Sequence, residues 1–286
     1  MTAPLAQPAT VLLSTHLDWL QPAQRRVAEA ILADPEEAVQ LSIGRLAELA
    51  GTSQATVVRL CRAIGLDGYP ELRLLLAQEQ VRRHHDGTRP RGDIEAGDDL
   101  SAVVAKIAAA DAAAVQDTVA DLPLERLAQV IDALAGASRI DVYGVGASGL
   151  VAADLMQKLL RIGRNAHAFT DAHNGLPSAA LMRAGTAAVA ISHTGTTRDT
   201  LGMFELAIER GAVGVAITNA PRSPIAQIAH HVLPTAARES SFRAGATASR
   251  LAQLAVVDCL FVGLAQCTFD ASSAALQATA EAVRRH

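Results

Sequence analysis

Through the first part of the chain, apolar residues recur at intervals of three and four, the period of a helix with one buried face. Val27, Ala28, Ile31 and Leu32 make such a stripe across 21–34, and Pro35 stands just beyond it as a stop signal. The same period predicts helices over 43–50, 54–64 and 70–82. Between 82 and 98 the period disappears into His, Gly, Pro and charged residues, the composition of a linker. Two Ala-rich helices are expected over 99–120 and 124–136, with Pro123 between them. After Ala137 the rhythm changes: short apolar runs at 139–144, 165–169, 186–191, 213–217 and 231–234 read as strands. Helical stretches near 149–162, 174–182, 197–210 and 224–229 separate them, and long helices over 246–268 and 272–285 close the chain. Strands alternating with helices predict a parallel sheet covered on both faces, so the second part is α/β with a doubly wound five-stranded sheet. The organisation expected is a helical domain over 1–82, a linker over 83–98 and the α/β domain over 99–286.

Composition supports this division and narrows the chemistry. With 286 residues, half of them hydrophobic, the chain can bury two sizeable cores. Aromatic residues make up only 3%, which argues against recognition of single strands by base stacking. The apolar stretches are too short or too interrupted by charge for a membrane span, and Met1 to Thr15 lacks the pattern of a signal peptide. Cys61, Cys259 and Cys267 have no metal-like spacing and fall in apolar helical patterns, so they read as buried thiols of a cytoplasmic protein. The net charge is −4, yet from Arg45 to Arg91 eight arginines face five acidic residues. A mildly basic region inside an acidic protein permits DNA binding without identifying it.

Residues 42 to 66 sharpen that possibility. If Ile43 begins a helix-turn-helix, Ala47 falls where two helices cross closely and Gly51 falls in the turn. Val57, Leu60, Cys61 and Ile64 form the inner stripe of the second helix, and Ser53 is placed to cap it. The outer face offers Gln54, Arg59 and Arg62. Gln54, Thr56 and Arg59 are candidates for base contact, with Arg62 and Arg45 as candidates for phosphate contact.

Two glycine- and hydroxyl-rich turns dominate the second domain. The run Ala187–Ile191 ends in Ser192-His193-Thr194-Gly195-Thr196-Thr197, after which a helix begins. Unpaired N–H groups at a helix start, joined by hydroxyl donors, suit an anion. No Lys lies in the turn, which excludes a Walker nucleotide loop and leaves the phosphate of a small molecule. The earlier turn, Gly144-Val145-Gly146-Ala147-Ser148-Gly149, also satisfies the dinucleotide pattern Gly-x-Gly-x-x-Gly, with Asp171 near the place of a ribose-binding acid. A dinucleotide gives the Ser192–Thr197 turn no role. A phosphorylated sugar uses both turns at the carboxyl edge of the sheet.

Taken together, Ser42–Tyr69 (ending Gly65-Leu66-Asp67-Gly68-Tyr69), Gly144–Ser148 and Ser192–Thr197 resemble the RpiR family of transcriptional regulators, in which a helix-turn-helix precedes a sugar isomerase (SIS) domain. Ile217-Thr218-Asn219, Ser223-Pro224-Ile225-Ala226, Glu239, Phe242-Arg243 and Ser249-Arg250 through Asp258 follow the same family in order. The resemblance implies that Ser148, Ser192, Thr194 and Thr197 bind sugar and phosphate, helped by Gly146 and by the backbone of His193 and Gly195. It makes Glu239 a ligand to sugar hydroxyls. Thr194 and Thr196 depart from the family's commonest turn, Ser-x-Ser-Gly-Glu/Asp-Thr; Thr194 keeps a hydroxyl, whereas Thr196 removes an acid and can alter which sugar fits.

Aldose–ketose isomerisation requires a base with a pKa near neutrality, and only Glu239, His173 and His193 are attractive candidates. None sits in a sequence that marks it as catalytic, and a fused DNA-reading domain gives binding alone a purpose. No catalytic residue, metal or cofactor is therefore expected. The expectation is a cytoplasmic regulator that binds double-stranded DNA as a homodimer or homotetramer and answers to a sugar-phosphate effector. The alternatives are a phosphosugar isomerase with a helical assembly domain and a dinucleotide-sensing regulator.

Overall fold

The computed structural model describes residues 9–85, 93–239 and 247–285, apart from the side chains of residues 18 and 81–85. Two compact units emerge, Met1–Ala109 and Ala110–His286. The boundary falls inside a helix rather than in the expected linker. Residues 93–98 are tied locally to that helix: Lys106 Nζ donates to the Asp98 carboxylate at 2.8 Å and to the Asp93 carbonyl at 3.0 Å. Most of the expected linker's centre, 86–92, lies outside the described residues.

The first unit runs α1 (Ala9–His16), a short 3₁₀ turn (Leu17–Trp19), α2 (Pro22–Ala33), α3 (Pro35–Gln40), α4 (Ile43–Leu49), α5 (Gln54–Ala63) and α6 (Tyr69–His85). The pattern of the sequence predicts α2, α4, α5 and α6 but not α1 or α3. At six residues α3 is too short to show a period, yet its start is chemically plain. Asp34 accepts the Glu37 N–H at 2.8 Å and Pro35 occupies the first turn. Pro35 thus follows the end of α2 and opens the next helix at once. α1 closes the unit by packing Val11 and Leu13 into the core, while its Thr10 hydroxyl donates to Glu79 of α6 at 2.5 Å.

After α7 (Leu100–Ala120), which spans the division, the second unit runs α8 (Leu124–Gly136), β1 (Ile140–Tyr143), α9 (Ala147–Arg161), β2 (Ala166–Phe169), α10 (Ala172–Ala180), β3 (Ala187–Ile191) and α11 (Arg198–Glu209). It continues with β4 (Val213–Thr218), α12 (Pro224–Ile228), β5 (His231–Pro234), α13 (Ala248–Cys267) and α14 (Phe269–Arg284). All five strands pair in parallel in the order β2-β1-β3-β4-β5. Successive strand residues point to opposite faces, so each strand feeds two cores. Val142, Val189, Val215 and Ile217 join α8, α9 and α13 on one side; Tyr143, Ala190 and Ala216 join residues of α10 and α11 on the other.

The order matters for function. From β1 the chain steps outward to β2, then returns past β1 to β3, with Tyr143 opposite Ala190. The turns after β1 and β3 therefore leave the sheet side by side and diverge, opening a crevice at the carboxyl edge. Among the described residues, α13 alone is long and apolar enough to cross a membrane. Its Val256, Val257, Leu260 and Leu264 are buried in the core shared with α8 and α9, which makes it a central packing element of this unit.

Candidate functional site

In the first unit, α4 and α5 form the expected pair. Leu46, Ala47, Val57, Leu60, Cys61 and Ile64 are buried together, and Gly51 takes a φ of +58° in the turn. Arg26 of α2 braces that turn by donating to the carbonyls of Ala50 and Gly51, each at 3.3 Å. Ser53 caps α5, accepting the Thr56 N–H at 3.3 Å. Gln54, Arg59 and Arg62 are exposed on one side of α5.

Thr56 has a different setting from its neighbours. It is 4% exposed; its hydroxyl lies 3.1 Å from Ser53 Oγ and accepts from Arg59 Nη2 at 3.1 Å. Thr56 thus steadies Arg59 from within rather than standing on the surface. Arg45, on α4, is exposed and paired with the equally exposed Glu48 at 2.8 Å.

In the second unit, Gly144 and Gly146 shape the turn after β1. A Cβ on Gly144 would lie 2.5 Å from the Ser148 carbonyl oxygen, so no other residue fits without moving backbone. Gly146 caps α9 with φ +63°. Ser148 follows in the first turn of α9, nearly buried at 9% exposure.

After β3 the turn closes on its own hydroxyls. Ser192 Oγ accepts the Gly195 N–H at 3.0 Å and lies 3.2 Å from Thr197 Oγ1, while Thr194 Oγ1 lies 2.8 Å from Thr196 Oγ1. Gly195 has φ +65°, and a Cβ there would run into the Ser223 side chain at 1.9 Å. The turn ends at Thr197, the residue preceding α11. Thr194, Thr196 and Thr197 are exposed, whereas Ser192 and Gly195 are buried. The result is a shallow cradle of hydroxyls and N–H groups at a helix start, suited to an anion.

Asn219 ties this turn to the segment that follows β5. The Asn219 N–H donates to the His193 carbonyl at 3.1 Å, its Oδ1 accepts the Ala237 N–H at 2.8 Å, and its Nδ2 donates to the Ala237 carbonyl at 3.2 Å. One buried amide thus joins the β3 turn to the segment that carries Glu239. Glu239 Oε1 accepts the Ser249 N–H at 2.8 Å, in the first turn of α13, where a carboxylate also meets the positive end of the helix dipole. Burial holds the His193 imidazole below its ordinary pKa of 6.5, against the opposing pull of Glu239.

Other expectations resolve differently. His173 is exposed, and Asp171 caps α10, accepting the Asn174 N–H at 2.9 Å and its side-chain amide at 3.0 Å. These bonds hold Asp171 below the ordinary carboxylate range and occupy the acid that a ribose would need. Of the cysteines, Cys61 is buried, with its thiol pushed up to about 11 by burial, and Cys259 is half-buried. Cys267 is exposed, a correction to the buried reading that follows from its place at the very end of α13. Phe242 and Arg243 lie outside the described residues.

Sequence reasoning gave no role to Ser249 and Gln253. They lie one turn apart on the face of α13 that also buries Ala252, Val256 and Val257, at 0% and 1% exposure. Gln253 Nε2 donates to Ser148 Oγ at 3.2 Å, joining α13 to the first turn of α9. The signal was two polar residues continuing an apolar stripe, a pattern that seldom occurs without a partner for the polar groups.

Residues 10–82 match the helix-turn-helix domain of the rpiR family, and residues 133–263 match the SIS domain. An uncharacterized HTH-type transcriptional regulator of Caldanaerobacter subterraneus subsp. tengcongensis is 39% identical over 86% of this chain and 86% of its own. A Bacillus subtilis protein of the same description is 33% identical over 93% of both chains. Among solved structures, the Vibrio vulnificus NanR protein complexed with ManNAc-6P superposes with a TM-score of 0.62 at 30% identity, covering 97% of this chain and 98% of that one.

Proposed function

Because this chain belongs to the RpiR family of helix-turn-helix transcriptional regulators, with a SIS domain after the helix-turn-helix, we propose that its affinity for an operator is set by a phosphorylated sugar held in the SIS unit. The observation that supports the reading is that the Gly146–Ser148 and Ser192–Thr197 turns leave neighbouring strands at the β1/β3 crevice, the latter closed on its own hydroxyls. The phosphate would take the hydroxyls of Ser192, Thr194 and Thr197 and the N–H groups of His193 and Gly195. Glu239 and Ser148 would meet the sugar. The similar NanR protein was solved with a sugar phosphate, which supports this choice of ligand class over a dinucleotide. The relatives are named regulators, and a binding domain suffices for that role.

On the DNA side, Arg59 and Gln54 would read bases in the major groove, Thr56 would hold Arg59 in place, and Ser53, Arg62 and Arg45 would meet phosphates. A homodimer or homotetramer would set two recognition helices one DNA turn apart. The sugar phosphate can change operator affinity only by binding one subunit arrangement better than another. Such a protein acts where DNA is, in the cytoplasm.

The test is a melting-point series on the full chain with glucose 6-phosphate, fructose 6-phosphate, N-acetylmannosamine 6-phosphate, NAD(P) and inorganic phosphate. Ligand binding to the native state raises the melting point. A sugar phosphate that does so in wild type but not in Ser192→Ala is the expected result. A shift with NAD(P) alone would reassign both turns.

A further inference from the structure

The phosphate cradle and the start of α13 differ in how their polar atoms are satisfied. Ser192 and Thr194 find partners inside their own turn. Gln253 Oε1 and Ser249 Oγ on α13, Glu239 Oε2 in the segment before it and His193 Nδ1 within the β3 turn are all buried and meet no hydrogen-bond partner among the described residues. Orphaned buried polar atoms are rare and costly in a folded protein, and four of them among these groups call for something that meets them. Two bonded pairs, one helical turn apart on α13, tie these groups to both turns. Ser148, in the β1 turn, is bonded to Gln253; Ser249 is bonded to Glu239; Glu239 acts electrostatically on His193, in the β3 turn.

We infer that Gln253, with Ser249 one turn before it, is the specificity-determining pair that reads the sugar end of the ligand. The inference rests on the sugar-phosphate reading above. With its Nε2 donating to Ser148, the Gln253 amide is left with an acceptor oxygen. The free Glu239 oxygen is an acceptor as well, and the Ser249 hydroxyl can act either way. A wall of acceptors selects a partner rich in donors, such as adjacent sugar hydroxyls or an acylamino N–H. Inorganic phosphate has no such groups to offer away from the cradle. The cradle therefore supplies affinity for phosphate, and the α13 face decides which sugar carries it.

Titration calorimetry of the full chain with glucose 6-phosphate, fructose 6-phosphate, N-acetylmannosamine 6-phosphate and inorganic phosphate separates the two roles. Gln253→Met keeps volume but removes the amide. It should weaken the preferred sugar phosphate about tenfold, the value of one lost hydrogen bond at a site that then leaves a ligand donor unpaired, and leave inorganic phosphate within about twofold. Ser249→Ala, which keeps the backbone N–H that Glu239 accepts, gives the same discrimination should Gln253→Met not fold. Unchanged sugar affinity, or equal losses for sugar phosphate and inorganic phosphate, would overturn the inference, the latter reducing Gln253 to a prop for Ser148. If wild type binds none of the three sugars, the sugar-phosphate reading itself fails and takes this one with it.

Discussion

Arg59 and Arg62 stand in solvent on a helix whose other face is wholly core, whereas Ser249 and Gln253 lie inside the α/β unit on the buried, mostly apolar face of their helix. The helix-turn-helix separates its tasks by face: Val57, Leu60 and Cys61 hold the helix in place, and the exposed side chains stay solvated until a partner arrives. The SIS unit merges them, since the same stretch of α13 that packs against α8 and α9 also buries the unpartnered polar atoms of Ser249 and Gln253. A long, charged, deformable polyanion would be met by flexible cations on a rigid platform. A small ligand would be met by buried groups whose positions are fixed beforehand by Asn219, Gly195 and Glu239. The first arrangement tolerates change in its contact residues at little cost to stability; the second does not.

Substitutions can break that contrast. Its largest effect should come from Arg59→Ala, which removes a side chain proposed to reach bases. Operator affinity is expected to fall about ten- to hundredfold at fixed salt, with the melting point and sugar-phosphate binding unchanged. Fluorescence anisotropy on a DNA site selected from random sequence measures this, and an unchanged affinity would remove Arg59 from the interface. Next comes Asn219→Ala, which strips from a buried amide its two bonds to the Ala237 backbone and the one it accepts from the Thr235 hydroxyl. A loss of roughly 2–3 kcal/mol in SIS-unit stability is expected, read by denaturant unfolding, together with weaker ligand binding through the displaced Glu239 segment. A stable variant with normal binding would show that the segment holds itself.

His193 provides a smaller, pH-dependent effect. Its imidazole ionises less readily when folded than when unfolded, where the ordinary value is 6.5. Between those two values the unfolded chain binds more protons, so its contribution to stability is complete above about pH 6.5 and declines as the pH falls. A melting-point series from pH 7.5 to 5 should show this slope, and His193→Gln should flatten it. A slope identical in the variant would assign the acid sensitivity elsewhere. The smallest effect belongs to Arg45→Ala: an exposed pair with Glu48 contributes only about 0–1 kcal/mol, so the melting point should hardly move. DNA affinity should then drop modestly and the salt dependence weaken by about one phosphate contact, both in the anisotropy assay.

How much could be read in advance depended on the same contrast. All five strands were legible because short, largely apolar runs bounded by Gly, Pro and polar turns admit few other readings, and each observed strand lies within about one residue of its expected bounds. The recognition helix was legible because its two faces differ in composition. α3 was hidden by its length, and only its Asp34-Pro35 start could have revealed it. Thr56 was read as a surface residue since spacing alone does not tell that its hydroxyl turns inward to Ser53 and Arg59. Ser249 and Gln253 escaped notice because the pattern of α13 is dominated by Ala, Val and Leu. Gln253 is bonded to Ser148, which is remote in sequence, and Ser249 to Glu239 across a turn of ten residues, links that no periodicity reveals.

The most direct test of the regulator proposed here joins the two heads in one titration. The full chain, bound to its selected DNA site and followed by fluorescence anisotropy, is titrated with the sugar phosphate that raises its melting point. Linkage predicts a reproducible change in operator affinity, of about five- to 150-fold in either direction, that disappears in Ser192→Ala. A ligand that stabilises the protein yet leaves operator affinity unchanged in wild type would contradict the account.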